Sequence, residues 1–262
     1  MNLQIILPLI LTLLAGMSTL LGGFMTFFVK RDNLKALSIG LGFSAGVMIY
    51  ISLTELMKSS SLMLSASFSE KVASLITFVF FFIGILVAIM IDYFIPDHIE
   101  EDLFSEQSHC NHKHKIKRAG LITAIAVAVH NFPEGLATFL VSSHDLSLGI
   151  PVAIAIAIHN IPEGIAVALP IYHSTGKKRY AIWYSFLSGI SEPIAGLVGI
   201  LFLKMFMPEW MVGAMFAAVA GIMVYISFDT LLPMAREYGE NHHVITGIIG
   251  GMFIIGLSLL LI

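Results

Sequence analysis

Apolar residues along this chain gather into eight blocks, each close to the ~20 residues a helix needs to cross the hydrocarbon core of a membrane. The blocks fall at 3–29, 36–57, 72–94, 119–141, 148–170, 180–203, 211–232 and 244–262. The stretches between them are short and polar, apart from one linker at 95–118. The pattern predicts an all-α membrane fold of eight transmembrane helices, with 1–262 forming a single transmembrane domain. The first block begins almost at Met1, with no basic segment before it and no small-residue cleavage site after it. It is therefore expected to be a retained helix, not a signal peptide.

Composition agrees. The chain is 57% hydrophobic and 12% charged, with a mean hydropathy of +0.91, which is too little charge to cover a soluble protein of this length. A net charge of −3 offers nothing to a nucleic acid. Cys110 stands alone, so no disulfide can form within the chain. Lys and Arg set the orientation, because cytoplasmic loops retain positive charge. The loops 1–2, 3–4, 5–6 and 7–8 and their flanks carry eleven: Lys30, Arg31, Lys35, Lys113, Lys115, Lys117, Arg118, Lys177, Lys178, Arg179 and Arg236. The opposite side carries three, Lys58, Lys71 and Lys204. Both termini are thus expected on the periplasmic or extracellular face of the cell inner membrane.

The linker 95–118 is acidic first and basic last, with His98, His109, His112 and His114 along it. It is expected to be mobile, because such a composition cannot bury a core. It reads either as a solvated cytoplasmic tether or as a weak metal-collecting tract.

Two sets of internal similarity organise the rest. Span 2 reads AGVMIYISLTEL from Ala45 and span 7 reads AGIMVYISFDTL from Ala220, an offset of 175. Span 1 carries GMSTLLGG from Gly16, and span 6 carries the similar GISEPIAG from Gly189. Spans 1–3 therefore look duplicated as spans 6–8. The charge count runs spans 2 and 7 in opposite directions, so the copies are an inverted repeat, an arrangement common in secondary transporters with a site at the midplane. The second similarity is stronger: span 4 has AVAVHNFPEGLA from Ala126, and span 5 has AIAIHNIPEGIA from Ala155.

These motifs carry the candidate chemistry. His130 and Glu134 are four residues apart, as are His159 and Glu163, so each pair shares a helix face and can grip one ion. Asn131 and Asn160 lie about 100° further round and suit a neighbouring second ion, with each glutamate between the two directions. Pro133 and Pro162 free the carbonyls of Val129 and Ile158, and Gly135 and Gly164 permit close helix approach. An ionised carboxylate at the bilayer centre costs roughly 2.5–3.5 kcal/mol on insertion scales. Glu134, Glu163 and Glu192 together call for a compensating cation. Imidazole, carboxylate and amide suit Zn²⁺ and similar first-row ions, and the lack of thiolates argues against copper(I).

A lone intramembrane His or Glu is commonly a hydrogen-bonding group between helices, but that does not explain two copies of HNxPEG with Glu192 in a third span. Glu55 and Asp229 sit at the ends of spans 2 and 7, where a solvated or gating role fits as well as ligation. Met48 reads first as packing. Two rival functions remain. An intramembrane metal hydrolase lacks an HExxH motif and a separate base, and a proton-coupled solute symporter would use the glutamates as relays. GxxxxGK[ST] does not occur, which argues against direct drive by ATP.

At these residues the chain resembles the ZIP family of zinc and iron transporters, most closely its bacterial ZupT-type branch. The resemblance spans the chain: eight helices, outward termini, a His-bearing loop between spans 3 and 4, and HNFPEG followed by HNIPEG. It implies a 3+2+3 helical bundle and an uptake transporter, not an enzyme, with no prosthetic group. It also implies a binuclear centre on spans 4, 5 and 6. Carried over, one ion is held by His130, Glu134, His159 and Glu163. The other is held by Asn131, Glu134, Asn160, Glu163 and Glu192, and Met48 stands where a methionine can approach the first ion. Many animal members have HExPHE on span 5. The HNIPEG here has one His and one acidic ligand fewer, which fits a range beyond zinc to iron, manganese, cobalt and cadmium. The expected partners are the divalent cations, the lipid bilayer and a second copy of the chain as a homodimer.

Overall fold

A computed structural model describes residues 3–30, 33–94, 111–144, 146–203 and 208–261. Among these residues there is no strand, and eight helical stretches are long and apolar enough to cross a membrane. They are Ile5–Phe27, Leu34–Ser65, Glu70–Met90, Thr123–Ser143, Gly149–Thr175, Lys178–Leu201, Trp210–Glu237 and Asn241–Leu260, spans 1 to 8 in chain order.

Span 1 ends in a 3-10 turn at Met25–Phe27, and three further spans depart from simple α-helix. Span 2 passes from Leu34–Ile51 through a π-helical turn at Ser52–Leu56 into Met57–Ser65, ending well beyond the expected residue 57. Span 7 does the same, from Glu209–Ile226 through a π turn at Ser227–Leu231 into Leu232–Glu237. The two turns stand 175 residues apart, at the offset of the sequence repeat. Each opens with a serine whose hydroxyl donates to a carbonyl one turn back, Ser52 to Met48 at 2.6 Å and Ser227 to Met223 at 2.8 Å. Span 6 is broken: Lys178–Gly189 ends at Ile190, and a second helix runs over Ser191–Leu203. Pro193 has no amide hydrogen for the carbonyl of Gly189, so the break falls where the ladder loses that bond.

The linker before span 4 is shorter than its composition implies. A helix already runs over Asn111–His144, because Lys, Arg and Ile favour helix and no Pro or Gly interrupts 111–119. His112 and His114 are in that helix, while His98, His109 and Cys110 lie outside the described residues.

Burial sorts the spans. In spans 1, 2 and 3 the shares buried are 39%, 67% and 22%, and in spans 6, 7 and 8 they are again 39%, 67% and 22%. Spans 4 and 5, at 62% and 69%, are central with spans 2 and 7. Spans 3 and 8 turn large apolar side chains outward, Leu75, Phe78 and Leu86 on one and Ile249, Phe253 and Leu260 on the other. Such faces suit lipid tails.

The triplets interlock through glycines. A β-carbon on Gly46 of span 2 would lie 2.3 Å from the carbonyl oxygen of Ile248 in span 8, and one on Gly221 of span 7 would lie 2.0 Å from that of Phe81 in span 3. In the reverse sense, Gly251 of span 8 abuts Phe43 of span 2, and Gly84 of span 3 abuts Ala218 of span 7. The members of each pair of contacts differ by 175 residues on spans 2 and 7 and by 167 on spans 3 and 8. Gly16 of span 1 and Gly189 of span 6 face each other's carbonyl oxygens, at 2.4 and 2.3 Å from the respective β-carbon positions. Backbones meet where no side chain stands between them.

A substitution series tests these crossings. Gly84→Val places its β-carbon 1.9 Å from the Ala218 carbonyl oxygen and is expected to destabilise the bundle by about 1–3 kcal/mol or more. Gly250→Ala meets nothing within 4 Å and is expected to change stability by less than about 0.5 kcal/mol. Thermal midpoints in detergent, read by size-exclusion chromatography of heated samples, check both. Equal midpoints would rule out a tight crossing at Gly84.

Candidate metal site

The HNxPEG motifs lie inside two long central helices, Asn111–His144 and Leu146–Thr175, which run without a break through Pro133 and Pro162. Glycine sets their distance from neighbours. A β-carbon on Gly135 would stand 2.4 Å from the carbonyl oxygen of Glu192, so span 4 touches span 6 directly at that glutamate. A β-carbon on Gly164 would stand 1.9 Å from the carbonyl oxygen of Thr19, and one on Gly22 would be 2.3 Å from that of Ile161. Span 1 is thereby pressed against span 5 beside the second motif. Span 2 joins from another side, where the Ser44 hydroxyl donates to the carbonyl of Pro162 at 2.5 Å.

Five of the seven candidate ligands are thereby enclosed. Asn131, Glu134, Asn160, Glu163 and Glu192 all have no exposed surface. The side-chain amide of Asn160 donates to the Ala15 carbonyl at 2.9 Å and to Oε1 of Glu192. Both contacts use the nitrogen, so the carboxamide is fixed with Oδ1 turned the other way. That Oδ1, like Oε2 of Glu192, has no hydrogen-bond partner among the described residues. Buried acceptors of this kind are normally satisfied. Two of them on residues that hydrogen-bond each other, with Glu192 in electrostatic reach of Glu134 and Glu163, suit a cation.

His130 and His159 occupy helical positions one turn before Glu134 and Glu163, but their imidazoles lie outside the described side chains. Among the side chains described, no three His, Cys, Asp or Glu groups stand close enough to form a ready cage. The enclosed set is thus the amide and carboxylate half of the expected ligands.

Met48 is fully buried in span 2, as is its repeat equivalent Met223 in span 7. Glu55 and Asp229 each stand inside a π turn. The Ser59 hydroxyl contacts Glu55 at 3.4 Å. Exposed Asp229 shares the Tyr225 hydroxyl with Asp92, to which that hydroxyl donates at 3.3 Å. Sequence reasoning missed span 1: the Ala15 carbonyl orients Asn160, and Thr19, fully buried, crosses at Gly164. A backbone carbonyl has no residue type to reveal it, although the small residues of GMSTLLGG marked the close approach.

Known proteins resemble the chain at this level. Residues 96–259, which include both motifs and Glu192, match the ZIP zinc transporter family. The chain is 49% identical over 253 residues to the zinc transporter ZupT of Streptococcus mutans, covering 96% of each. It is 45% identical over 264 residues to the zinc transporter ZupT of Akkermansia muciniphila, covering 98% of each. It is 47% identical over 270 residues to that of Nitratidesulfovibrio vulgaris, again covering 98% of each. A multi-pass helical chain with this motif pair, matched along nearly its whole length by such relatives, belongs to the ZIP family of transporters, in its ZupT-type branch.

Proposed function

We propose that this protein takes up divalent transition-metal ions, chiefly zinc, across the cell inner membrane, through a midplane site on spans 4, 5 and 6. The observation that carries this reading is the enclosed set Asn131, Glu134, Asn160, Glu163 and Glu192, with two acceptor oxygens left without hydrogen bonds. Three carboxylates away from water need positive charge, and a passing dication supplies it. The names of the relatives add zinc.

Two ion positions account for the ligands. The first takes His130, Glu134, His159 and Glu163, within reach of Met48. The second takes Asn131, Glu134, Asn160, Glu163 and Glu192, so both glutamates are shared. The second is a harder, oxygen-only set and discriminates less among Zn²⁺, Fe²⁺, Mn²⁺, Co²⁺ and Cd²⁺. The frame is a 3+2+3 bundle with inverted copies in spans 1–3 and 6–8. It is supported by the matching burial of the triplets and by glycine contacts exchanged in both directions, the mark of a twofold relation. Both termini lie outside the cytoplasm.

Uptake by the purified chain in reconstituted vesicles, measured for the five metals, tests the assignment. Glu134→Ala or Glu163→Ala is expected to lower initial zinc uptake by about a hundredfold or more, with the folded protein still in the membrane, since each takes a ligand from both positions. Wild-type uptake in either variant would refute shared ligation.

A second experiment separates the two positions. Asn160→Asp exchanges the donor that faces Ala15 and Glu192 for an acceptor. Without metal it is expected to lower stability by about 1–3 kcal/mol. With saturating Zn²⁺ its thermal midpoint should rise further than that of the wild type, because the added charge tightens ion binding there, and release should slow. His159→Ala should lower zinc uptake more than iron uptake. Equal losses for both metals, together with an unchanged Asn160→Asp variant, would reject the two-position reading.

Orientation has its own check. A reporter fused after Ile262 is expected to read as periplasmic and one inserted within 104–109 as cytoplasmic. The opposite labelling would reverse the chain in the membrane.

A further inference from the structure

At the end of span 1 a groove of about 1070 Å³ opens between that span and the start of span 6. Three consecutive cations, Lys177, Lys178 and Arg179, stand along it, and Leu20, Trp183 and Phe186 form much of its apolar wall. Among the described residues, no carboxylate lines it. Lys178 is clamped: its ammonium lies 4.8 Å from the ring of Phe27 on one side and 5.8 Å from that of Tyr172 on the other. Lys177 covers the Tyr180 ring at 5.1 Å.

A rule favouring positive cytoplasmic loops explains why cations occur here, but not why they rim an apolar groove or why one ammonium is fixed between two rings. Like charges held together with no counter-charge among the described lining residues repel each other, and the positive end of the helix Lys178–Gly189, which has no side-chain cap, adds to the field. The occupant must therefore be anionic at one end. It must also be apolar beyond that end, since Leu20, Trp183 and Phe186 line the groove and Trp183 and Leu187 on the same helix are exposed. Free phosphate satisfies only the first demand, and a zwitterionic lipid meets the first weakly, because its phosphate carries a cation of its own beside it.

We infer that this groove seats one anionic phospholipid, with its phosphate among Lys177, Lys178 and Arg179 and an acyl chain along Leu20, Trp183 and Phe186. Basic pockets between membrane helices are known to hold such headgroups. The bound lipid would tie span 1 to the first half of span 6, ahead of the break that places Glu192.

Native mass spectrometry of the full chain in detergent, with equimolar phosphatidylglycerol and phosphatidylcholine added, tests this. The wild type is expected to retain phosphatidylglycerol about tenfold over phosphatidylcholine. Lys177→Gln combined with Arg179→Gln should bring that preference below about threefold. Lys30→Gln combined with Lys35→Gln, on another loop of the same predicted side, should leave it unchanged. Leu20→Trp keeps every cation but fills the apolar wall, and it should lower retention of phosphatidylglycerol. That variant decides the question if the charge variant does not fold. Inorganic phosphate at tens of millimolar should not displace the lipid. Equal retention of the two lipids by the wild type would overturn the inference. So would an unchanged preference in the groove variants, an equal fall in the Lys30 and Lys35 control, or full displacement by phosphate.

Discussion

Carboxyl groups enclosed together without water are the constraint to which the rest of this structure answers. Glu134, Glu163 and Glu192 come from three different spans and have no exposed surface. An ionised carboxylate in such surroundings is tolerable only beside positive charge or a full set of donors. Asn160 supplies one donor to Glu192 and is itself held by the carbonyl of Ala15. Oε2 of Glu192 and Oδ1 of Asn160 are left without hydrogen bonds among the described residues. Under the proposed function, a passing cation completes such a site. A site with complete hydrogen bonding would bind ions weakly, and one with a permanent internal cation would repel them.

Bringing the glutamates together requires main chains to come nearer than ordinary side chains allow. Gly135 against Glu192, Gly164 against Thr19 and Gly16 against Gly189 each accomplish this at a different edge of the site. In lipid no hydrophobic force drives helices together, so close packing and polar contacts carry the association. The same contacts then fix both stability and ligand position. Widening any of them would separate the carboxyl groups as well as loosen the bundle.

Much of this was legible in the sequence, for identifiable reasons. Spans could be read because a bilayer imposes a length and an apolar character on whatever crosses it. The buried polar residues stood out because asparagine and glutamate are out of place there, and HNFPEG and HNIPEG repeat them. Neighbour relations could not be read. Spans 3 and 8 are apolar toward lipid and toward protein alike, so no amphipathic stripe announces that Gly84 meets Ala218 or that Gly251 meets Phe43. The break at Ile190 was readable in principle, since Pro193 follows Glu192 directly. The two π turns have no local signature, and only their common offset makes the second expected once the first is known. The helix over 111–118 was hidden by its charge, which resembles that of a solvated tether while its residues still favour helix.

The paired π turns alter the phase of the chain. Such a turn amounts to one residue inserted into an α-helix, and one residue is about 100° of rotation. Beyond Leu56 and beyond Leu231, everything is therefore turned by that angle relative to an uninterrupted helix. This is the setting in which Ser60 and Leu64 face inward on span 2 and Met234 and Ala235 do so on span 7. Deleting a single residue from either turn would leave a regular helix whose far half keeps its facing, whereas straightening the turn with every residue kept would point its last turns the wrong way. These two spans thus hold a registration between their halves that hydropathy cannot detect. An alignment gap of one residue at 52–56 or 227–231 in a related chain would signal a lost π turn between halves that keep their facing, and not a trimmed loop.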